Sequence, residues 1–363
     1  AGHVDFRAFY TAGKILAEGN GTHLYNYEVQ RQAQNVSVSY SADAVPFVYP
    51  PFSAVPFAAL SPLSYRAAFW TFFVFNIGLL VATVAFLSRR LFELDVRWTV
   101  PFALTFLPVA PALIQGQVTF WLFAIYGAFF WLEKRGKGFA AGLVLALALV
   151  KFQIALPVLL LYALWRQWRV VQGFAAGCCA LLLASLAAVG WSGLRQYFAF
   201  MANIATRVSA GADQAKFAMY PGGMPNLHGL FFAALGPGRL STGLTLACSL
   251  ALFGWAARQR RSSSMALLVG LLVSYHVQVH DLTLLLLPMG LVISSHAATG
   301  WQRRTALFAC CALSAAPLYT VLGGLGAVPV MAFAIAALLP YFARSTHEAA
   351  HSYMLAPQTA ATR

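Results

Sequence analysis

Charge is the scarcest commodity in this sequence. Only 9% of its 363 residues are Asp, Glu, Lys or Arg, and just ten of them are carboxylates, whereas a water-soluble domain carries roughly a quarter charged residues. With 60% apolar residues and a mean hydropathy of +0.70, the chain reads as an integral membrane protein. Strict apolar/polar alternation is also missing, which excludes a β-barrel and leaves helices as the spanning elements. No glycine-rich phosphate loop and no strand–helix alternation appear, which excludes a nucleotide-binding domain of the doubly wound type. The five cysteines, Cys178, Cys179, Cys248, Cys310 and Cys311, all lie in apolar runs. Their spacing fits neither a zinc site nor a disulfide framework, so they read as small packing residues. Paired carboxylates of the kind a catalytic divalent cation needs cannot be placed, and no metal or other cofactor is expected.

What is present is apolar runs separated by short basic clusters. The runs include Arg66 to Ser88, Val170 to Gly190, Leu240 to Ala257, Thr305 to Tyr319 and Ala327 to Phe342. About 20 such residues cross a bilayer core of about 30 Å. The clusters are Arg89-Arg90, Lys134-Arg135-Gly136-Lys137, Arg166 with Arg169, Arg258 with Arg260-Arg261, and Arg303-Arg304. The net charge of +14 is thus spread over loops and makes no nucleic-acid surface. By the positive-inside rule these loops are cytoplasmic.

Threading the runs between the clusters gives one membrane domain over 1–343. Residues 1–50 are an external loop followed by an interfacial amphipathic segment at 51–60. Spans follow at 66–88, 99–113 and 118–132, with Gln115-Gly116-Gln117 at the outer surface. Residues 138–165 have basic clusters at both ends, so they are expected to rise and return as two short helices turning near Lys151. Then come 170–190, a second external loop at 191–237, and spans at 240–257, 265–276, 282–296, 305–320 and 326–342. A disordered cytoplasmic tail, 344–363, ends the chain. If 1–50 is external, a further membrane helix is expected before Ala1.

On this path Glu93, Asp95, Glu133 and Glu348 fall inside among basic residues and read as solvated loop groups. Asp5, Glu18, Glu28, Asp43 and Asp213 lie outside, and Asp281 lies where a helix meets the outer interface. In SYHVQVHDLTLLLLP two histidines and an aspartate interrupt apolar sequence. Charges at membrane depth cost about 2.5 to 3.5 kcal/mol and usually face a cavity; Asp281 as a helix cap is the plainer alternative. Lys151 is the one lysine inside an apolar run, either snorkelling or meeting a phosphate at headgroup level.

The stretches DFRAFYTAGKILAEGNGTHLYN, FVYPPFSAVPFAALSPLSYRAAFW, GQVTFWLFAI, GLVLALALVKFQIALPVLLLYALWRQWR and SYHVQVHDLTLLLLP, in that order, resemble glycosyltransferase family 87. These are polytopic helical enzymes of the GT-C type that include polyprenyl-phosphate-mannose-dependent α-1,2-mannosyltransferases. The resemblance implies that Asp5 is the catalytic base and that Tyr49-Pro50-Pro51, Gly116-Gln117, Lys151, His276 and Asp281 are the family's motif positions. The sequence departs from the family in lacking the first helix and in having His280 where an aromatic is usual. The implied partners are a polyprenyl-phosphate sugar, a glycolipid or glycan acceptor and membrane lipid.

The residues fit that chemistry on their own terms. A sugar on a lipid phosphate needs a base for the acceptor hydroxyl and cations for the departing phosphate. Asp5 can supply the first; Lys151, His276, Arg7 and Arg207 can supply the second. Tyr10, Tyr49, Pro50, Gln117, His280 and Asp281 are expected to line the site, and Asp43, Asp213 and Asp281 stay in view as other bases. A single base favours inversion. The Ala-rich composition leans toward a bacterial inner membrane, with the site facing outside. The competing readings are a transporter or lipid flippase, which calls for midplane charges and an inverted repeat that are not seen, and a scaffold without chemistry, which leaves the polar residues in apolar runs without a role.

Overall fold

The computed structural model describes residues 5–209, 220–294, 301–323 and 327–354. Among them every regular element is helical, as a chain that must satisfy its backbone inside lipid requires. Four helical runs are long and apolar enough to cross a membrane: Tyr65–Phe92, Gly138–Leu164, Trp168–Thr206 and Arg239–Ala257. A fifth candidate is the pair α5 (Val96–Thr105) and α6 (Val109–Gln115), bent by 62° at its break, where Pro108 precludes a continuous helix. Shorter apolar helices complete the bundle.

The segment 138–164 is long enough to cross as one helix, but its packing shows that it turns back. It consists of α8 (Gly138–Ala146), a 3-10 turn over Leu147–Lys151 and α9 (Phe152–Leu164). A Cβ on Gly138 would lie 3.3 Å from Cβ of Arg169, only five residues past Leu164. A straight helix of this length would separate its ends by about 40 Å, and five residues reach at most about 18 Å. The hairpin expected from the flanking basic clusters is therefore present, with Lys151 at its apex. Helix α10 (Trp168–Ser209) then runs parallel to α8. A Cβ on Gly142 would fall 1.9 Å from the Val170 carbonyl oxygen, and one on Gly173 2.0 Å from that of Phe139. Glycine is required at both crossings because the two backbones touch.

The basic loops collect at one end. Lys134 donates to the Leu91 carbonyl (3.2 Å) and lies 3.5 Å from Glu93. Arg261, just before α13 (Ser263–Val273), reaches Glu133 at 3.8 Å and donates to Gln167. Trp165 donates to the carbonyl of Ala256, near the end of α12 (Arg239–Ala257), at 3.3 Å. Tyr162 and Ser263 share a hydrogen bond of 2.8 Å. The turns after α4 (Tyr65–Leu87), α7 (Thr119–Lys134), α9 and α12 thus share one rim, and the hairpin apex and the Gly116-Gln117 turn point to the other.

That other end carries a helical cap. Helices α1 (Phe6–Ala17) and α2 (Tyr27–Ser37) fill what was expected to be a loop, and α1 is buried from Phe6 through Gly13. The expected interfacial segment 51–60 is a 3-10 turn over Pro51–Ala54 and a single turn of helix, α3 (Val55–Ala58). It does not lie free in the interface. Phe57 is buried against Phe9 (4.9 Å) and Trp121 (5.3 Å), while Val55 and Pro56 face outward. The expected external loop 191–237 is also largely helical where described. α10 continues past a break at Gly190 (φ 65°) to Ser209, and α11 spans Leu227–Leu235. Gly21 of the cap meets α10 just before that break, close to the Ala188 carbonyl. The chain continues through α14 (Leu286–Ser294), α15 (Trp301–Gly323) and α16 (Ala327–Met354). A disordered tail is expected from 344, but α16 runs on to Met354, with no Gly or Pro to interrupt residues 341–354; the rest of the expected tail, 355–363, lies outside the described residues.

Gly142→Ala puts a methyl group into the Val170 carbonyl and should destabilise the protein by about 1 to 3 kcal/mol. Gly243→Ala, on α12 with nothing within 4 Å of the added Cβ, should stabilise it by up to about 1 kcal/mol. Apparent melting temperatures in one detergent check the opposite signs; equal shifts would contradict the α8–α10 packing.

Candidate active site

At the hairpin apex the backbone leaves helical geometry at Lys151 (φ −124°, ψ 70°). Its ammonium, 3% exposed, forms an ion pair with Asp281 Oδ1 and lies 3.1 Å from Nε2 of His280. Asp281 is in the first turn of a 3-10 helix, Val279–Leu285, that leads into α14. Its Oδ2 accepts the Gln278 backbone N–H at 3.1 Å, completing a capping box. The helix-cap role and the site role weighed for Asp281 are thus carried by different oxygens of one carboxylate. His276 is held by Ser274, whose hydroxyl donates to the His276 carbonyl at 3.1 Å. Its Nδ1 is buried and takes no hydrogen bond from the described residues, and the ring is within electrostatic reach of Lys151 and Asp281.

Asp5 precedes the first turn of α1, where an aspartate ordinarily caps the helix. It makes no capping hydrogen bond. Its Oδ2 instead accepts from Nε2 of Gln117, and Oδ1 takes no hydrogen bond from the described residues. Burial raises the Asp5 carboxyl above its usual range, while the Lys151 charge and the Gln117 hydrogen bond pull it partly back. The start of α1 and the hairpin apex are therefore in electrostatic contact. Tyr49 joins the group: its hydroxyl donates to Gln117 Oε1 at 3.4 Å. Burial, Asp5 and Asp281 push that hydroxyl well above its ordinary value, so it stays protonated.

Gly116 lets the turn come this close to α1. It adopts φ 63°, and a Cβ there would lie 2.6 Å from Cβ of Phe6, so both the left-handed backbone and the space call for glycine. The Gln117 carbonyl in turn accepts from Nδ2 of Asn76 at 3.4 Å. Asn76 was not among the expected site residues. Its signal in the sequence is that of a lone amide inside the apolar run 66–88.

The structure thus brings together Asp5, Tyr49, Gln117, Lys151, His276, His280 and Asp281. Others are elsewhere. Arg7, expected near the donor phosphate, is 1% exposed and turned toward α2: Nε donates to Gln34 Oε1 (2.8 Å), and Nη1 and Nη2 to the Ser39 hydroxyl and carbonyl (3.1 and 2.5 Å). Its described partners make it a clamp of the cap, the position on α1 placing its side chain away from the Gln117 turn. Tyr10 donates to the Leu63 carbonyl at 2.7 Å, tying α1 to the start of α4. Pro50 borders the site through its neighbour Tyr49 and accepts from the Ser53 hydroxyl at 2.5 Å. Asp43 meets the Tyr27 hydroxyl at 3.1 Å on the exposed side of the cap. The Arg207 side chain and Asp213 lie outside the described residues. Among those described, no group of three or more His, Cys, Asp or Glu side chains could hold a metal ion.

This pairing of a half-engaged carboxylate with a buried cation is what group transfer from a phosphorylated donor asks for, and it agrees with the one comparison that gives a match. No curated protein and no solved structure matches the chain. The family model of glycosyltransferase family 87 matches residues 47–288, which include Tyr49, Asn76, Gln117, Lys151, His276, His280 and Asp281, while Asp5 precedes it. A match over more than half of the 363 residues, on an all-helical membrane bundle, means that the chain belongs to glycosyltransferase family 87.

Proposed function

We propose that this membrane glycosyltransferase moves a hexose, mannose by the family resemblance, from a polyprenyl-phosphate donor to a glycolipid or glycan acceptor, with inversion at the anomeric carbon. Family membership sets the transporter reading aside. The observation that carries the rest is the Asp5 carboxylate: one oxygen is fixed by Gln117, the other takes no hydrogen bond from the described residues, and Lys151 is near enough to influence its ionisation. In this reading the acceptor hydroxyl oxygen attacks the anomeric carbon as its proton passes to Oδ1 of Asp5. The carbon–oxygen bond to the phosphate breaks, and the lipid phosphate leaves with that electron pair. Lys151 faces the resulting charge as a compact point-charge partner, and the unpartnered Nδ1 of His276 supplies a further polar contact. The Asp281 carboxylate is already committed to Lys151 and to the Gln278 N–H, which favours direct displacement over a double displacement needing a second free carboxylate about 5 Å from the first. Neither a cofactor nor a divalent metal takes part. The positive-inside rule applied to the shared basic rim supports a reaction at the opposite, outer face, and the sequence's composition supports a bacterial inner membrane.

The test is transfer of labelled sugar by the full-length protein in bilayer discs, from polyprenyl-phosphate mannose to a lipid extract of its host. Asp5→Asn should lower kcat/KM by about 10² to 10⁴-fold; wild-type rates in a folded Asp5→Asn protein would remove Asp5 from the reaction, and no transfer from any polyprenyl-phosphate sugar would remove the donor class. The base works only when ionised, and its carboxyl is raised by burial. The acid limb of kcat/KM should therefore lie above the ordinary carboxylate value of about 3.9, with activity lost as pH falls through it; a limb at or below that value would contradict the buried base.

Asp281→Asn should leave the Lys151 charge buried without its partner and destabilise the protein by about 3 to 5 kcal/mol. The double variant Lys151→Met/Asp281→Asn should recover much of that stability yet stay inactive, because the phosphate has lost its cation. Melting curves and transfer assays on the three proteins decide this, and an active double variant would refute the role given to Lys151.

A further inference from the structure

Gln117 makes three contacts at once. Its Nε2 donates to Asp5, its Oε1 accepts from Tyr49 at 3.4 Å, and its carbonyl accepts from Asn76 at 3.4 Å. An amide in the middle of a membrane helix is out of place unless it has a task. Asn76 is 1% exposed, with Leu80 and Phe72 one turn to either side, and its Oδ1 takes no hydrogen bond from the described residues. The amide thus carries the desolvation penalty of a buried polar group and directs its donor at one backbone carbonyl, that of Gln117.

We propose that Gln117 is a positioning residue for the base, fixing which oxygen of Asp5 faces the acceptor, and that Asn76 acts one step further back by holding the turn that carries Gln117. The inference rests on the role given to Asp5 above. A carboxylate has two equivalent oxygens and rotates about its Cα–Cβ and Cβ–Cγ bonds. Asp5 has no helix-capping hydrogen bond to restrain it, so the Gln117 N–H is its one described side-chain restraint. Donation to the ionised form also favours that form, so the contact that fixes the orientation also works with the Lys151 charge against burial to keep the carboxyl ionised. The Tyr49 hydroxyl, by donating to Oε1, fixes the amide of Gln117 with its NH2 toward Asp5, and Gly116 brings the turn into contact with Phe6, the residue after the base. The other charged or titratable groups around Asp5 are Tyr49 from the segment before Pro50 and Lys151 from the hairpin apex, the latter with Asp281 behind it. Tyr65 of α4 packs on Phe6 and Tyr10, and Arg7 on the same helix turns to α2.

The experiment is an infrared titration of the full-length protein in bilayer discs, following the protonated-carboxyl band that disappears in Asp5→Asn, together with the pH profile of kcat/KM. Gln117→Met keeps the size of the side chain and removes the donor. The Asp5 midpoint should rise by about one pH unit or more, the acid limb of kcat/KM should rise with it, and kcat should fall while the donor KM holds. Asn76→Leu should raise the midpoint in the same direction by a smaller amount. A midpoint unchanged in folded Gln117→Met, or a rate loss with the acid limb in its wild-type place, would show that Gln117 only packs and would overturn the proposal. Should Gln117→Met not fold, Gln117→Glu decides: two carboxyls in hydrogen-bond contact share a proton, so the midpoint must rise, and an unmoved one overturns the proposal equally. A shifted midpoint in a protein whose Asp5→Asn variant transfers sugar at the wild-type rate would confirm that Gln117 governs Asp5 and sink the base assignment instead.

Discussion

The structure depends on a pairing between one lysine and one aspartate. Neither Lys151 nor Asp281 is more than 3% exposed, and a charge buried in a membrane protein persists only with a partner. Meeting that demand determines much of the fold. The segment 138–164 must stop and turn so that Lys151 is at an apex; the chain near 279 must break into a 3-10 helix so that Asp281 faces it. The same carboxylate then caps that helix, so an element made irregular for the sake of the ion pair has its free backbone donors satisfied by the pair itself. The site inherits its location from this arrangement, because the apex lies at the end of the bundle away from the basic rim.

The second layer is the cap. Helices α1 and α2 lie over that end on a floor of aromatic rings. Phe6 stacks on Phe72 with centroids 5.2 Å apart and Phe57 on Trp121 at 5.3 Å, contacts worth about 0.5 to 1.5 kcal/mol each beyond the area they bury. Arg7 and Tyr10 fix the cap sideways, to α2 and to the start of α4. The cap thereby delivers Asp5 to a point set by the bundle, a carboxylate from the cap meeting a cation from the hairpin. The match to the family model begins at Phe47, yet it contains each side chain that holds or faces Asp5: Tyr49, Gln117 and Lys151.

Much of this was legible in the sequence, for a reason specific to membrane proteins. Polar residues in apolar runs are so few that each stands out, and Lys151, His276, His280 and Asp281 were found that way. The hairpin follows from the charge pattern: basic clusters at both ends of 138–165 favour a segment that returns over one long span, which would invert every later loop. What could not be read was the side on which an external residue would lie. Arg7 reads as a phosphate ligand because it is a cation two residues from Asp5, but residues two apart on a helix point about 200° apart, and that rotation sends it to Gln34 and Ser39. Asn76 does not stand out, because a single amide leaves the hydropathy of its run almost unchanged. The external segments read as loops since they are polar, although α2 has a clear start signal in Asn26, whose side chain accepts from the N–H groups of Glu28 and Val29.

The hairpin has a consequence for how the protein is made. Its lysine emerges from the ribosome 130 residues ahead of the aspartate that neutralises it, so for part of synthesis the cation has no native counter-ion. Had residues 138–164 crossed as one helix, that charge would have waited at the bilayer centre, at about 2.5 to 3.5 kcal/mol on the insertion scale. Folded back as two short arms, the segment has its apex away from the basic rim, at the end of the bundle where the Gln117 turn also lies, so the ammonium does not wait at the bilayer centre for the later helices to arrive. The turn that shapes the site in the finished enzyme thus also supplies a tolerable intermediate during biogenesis.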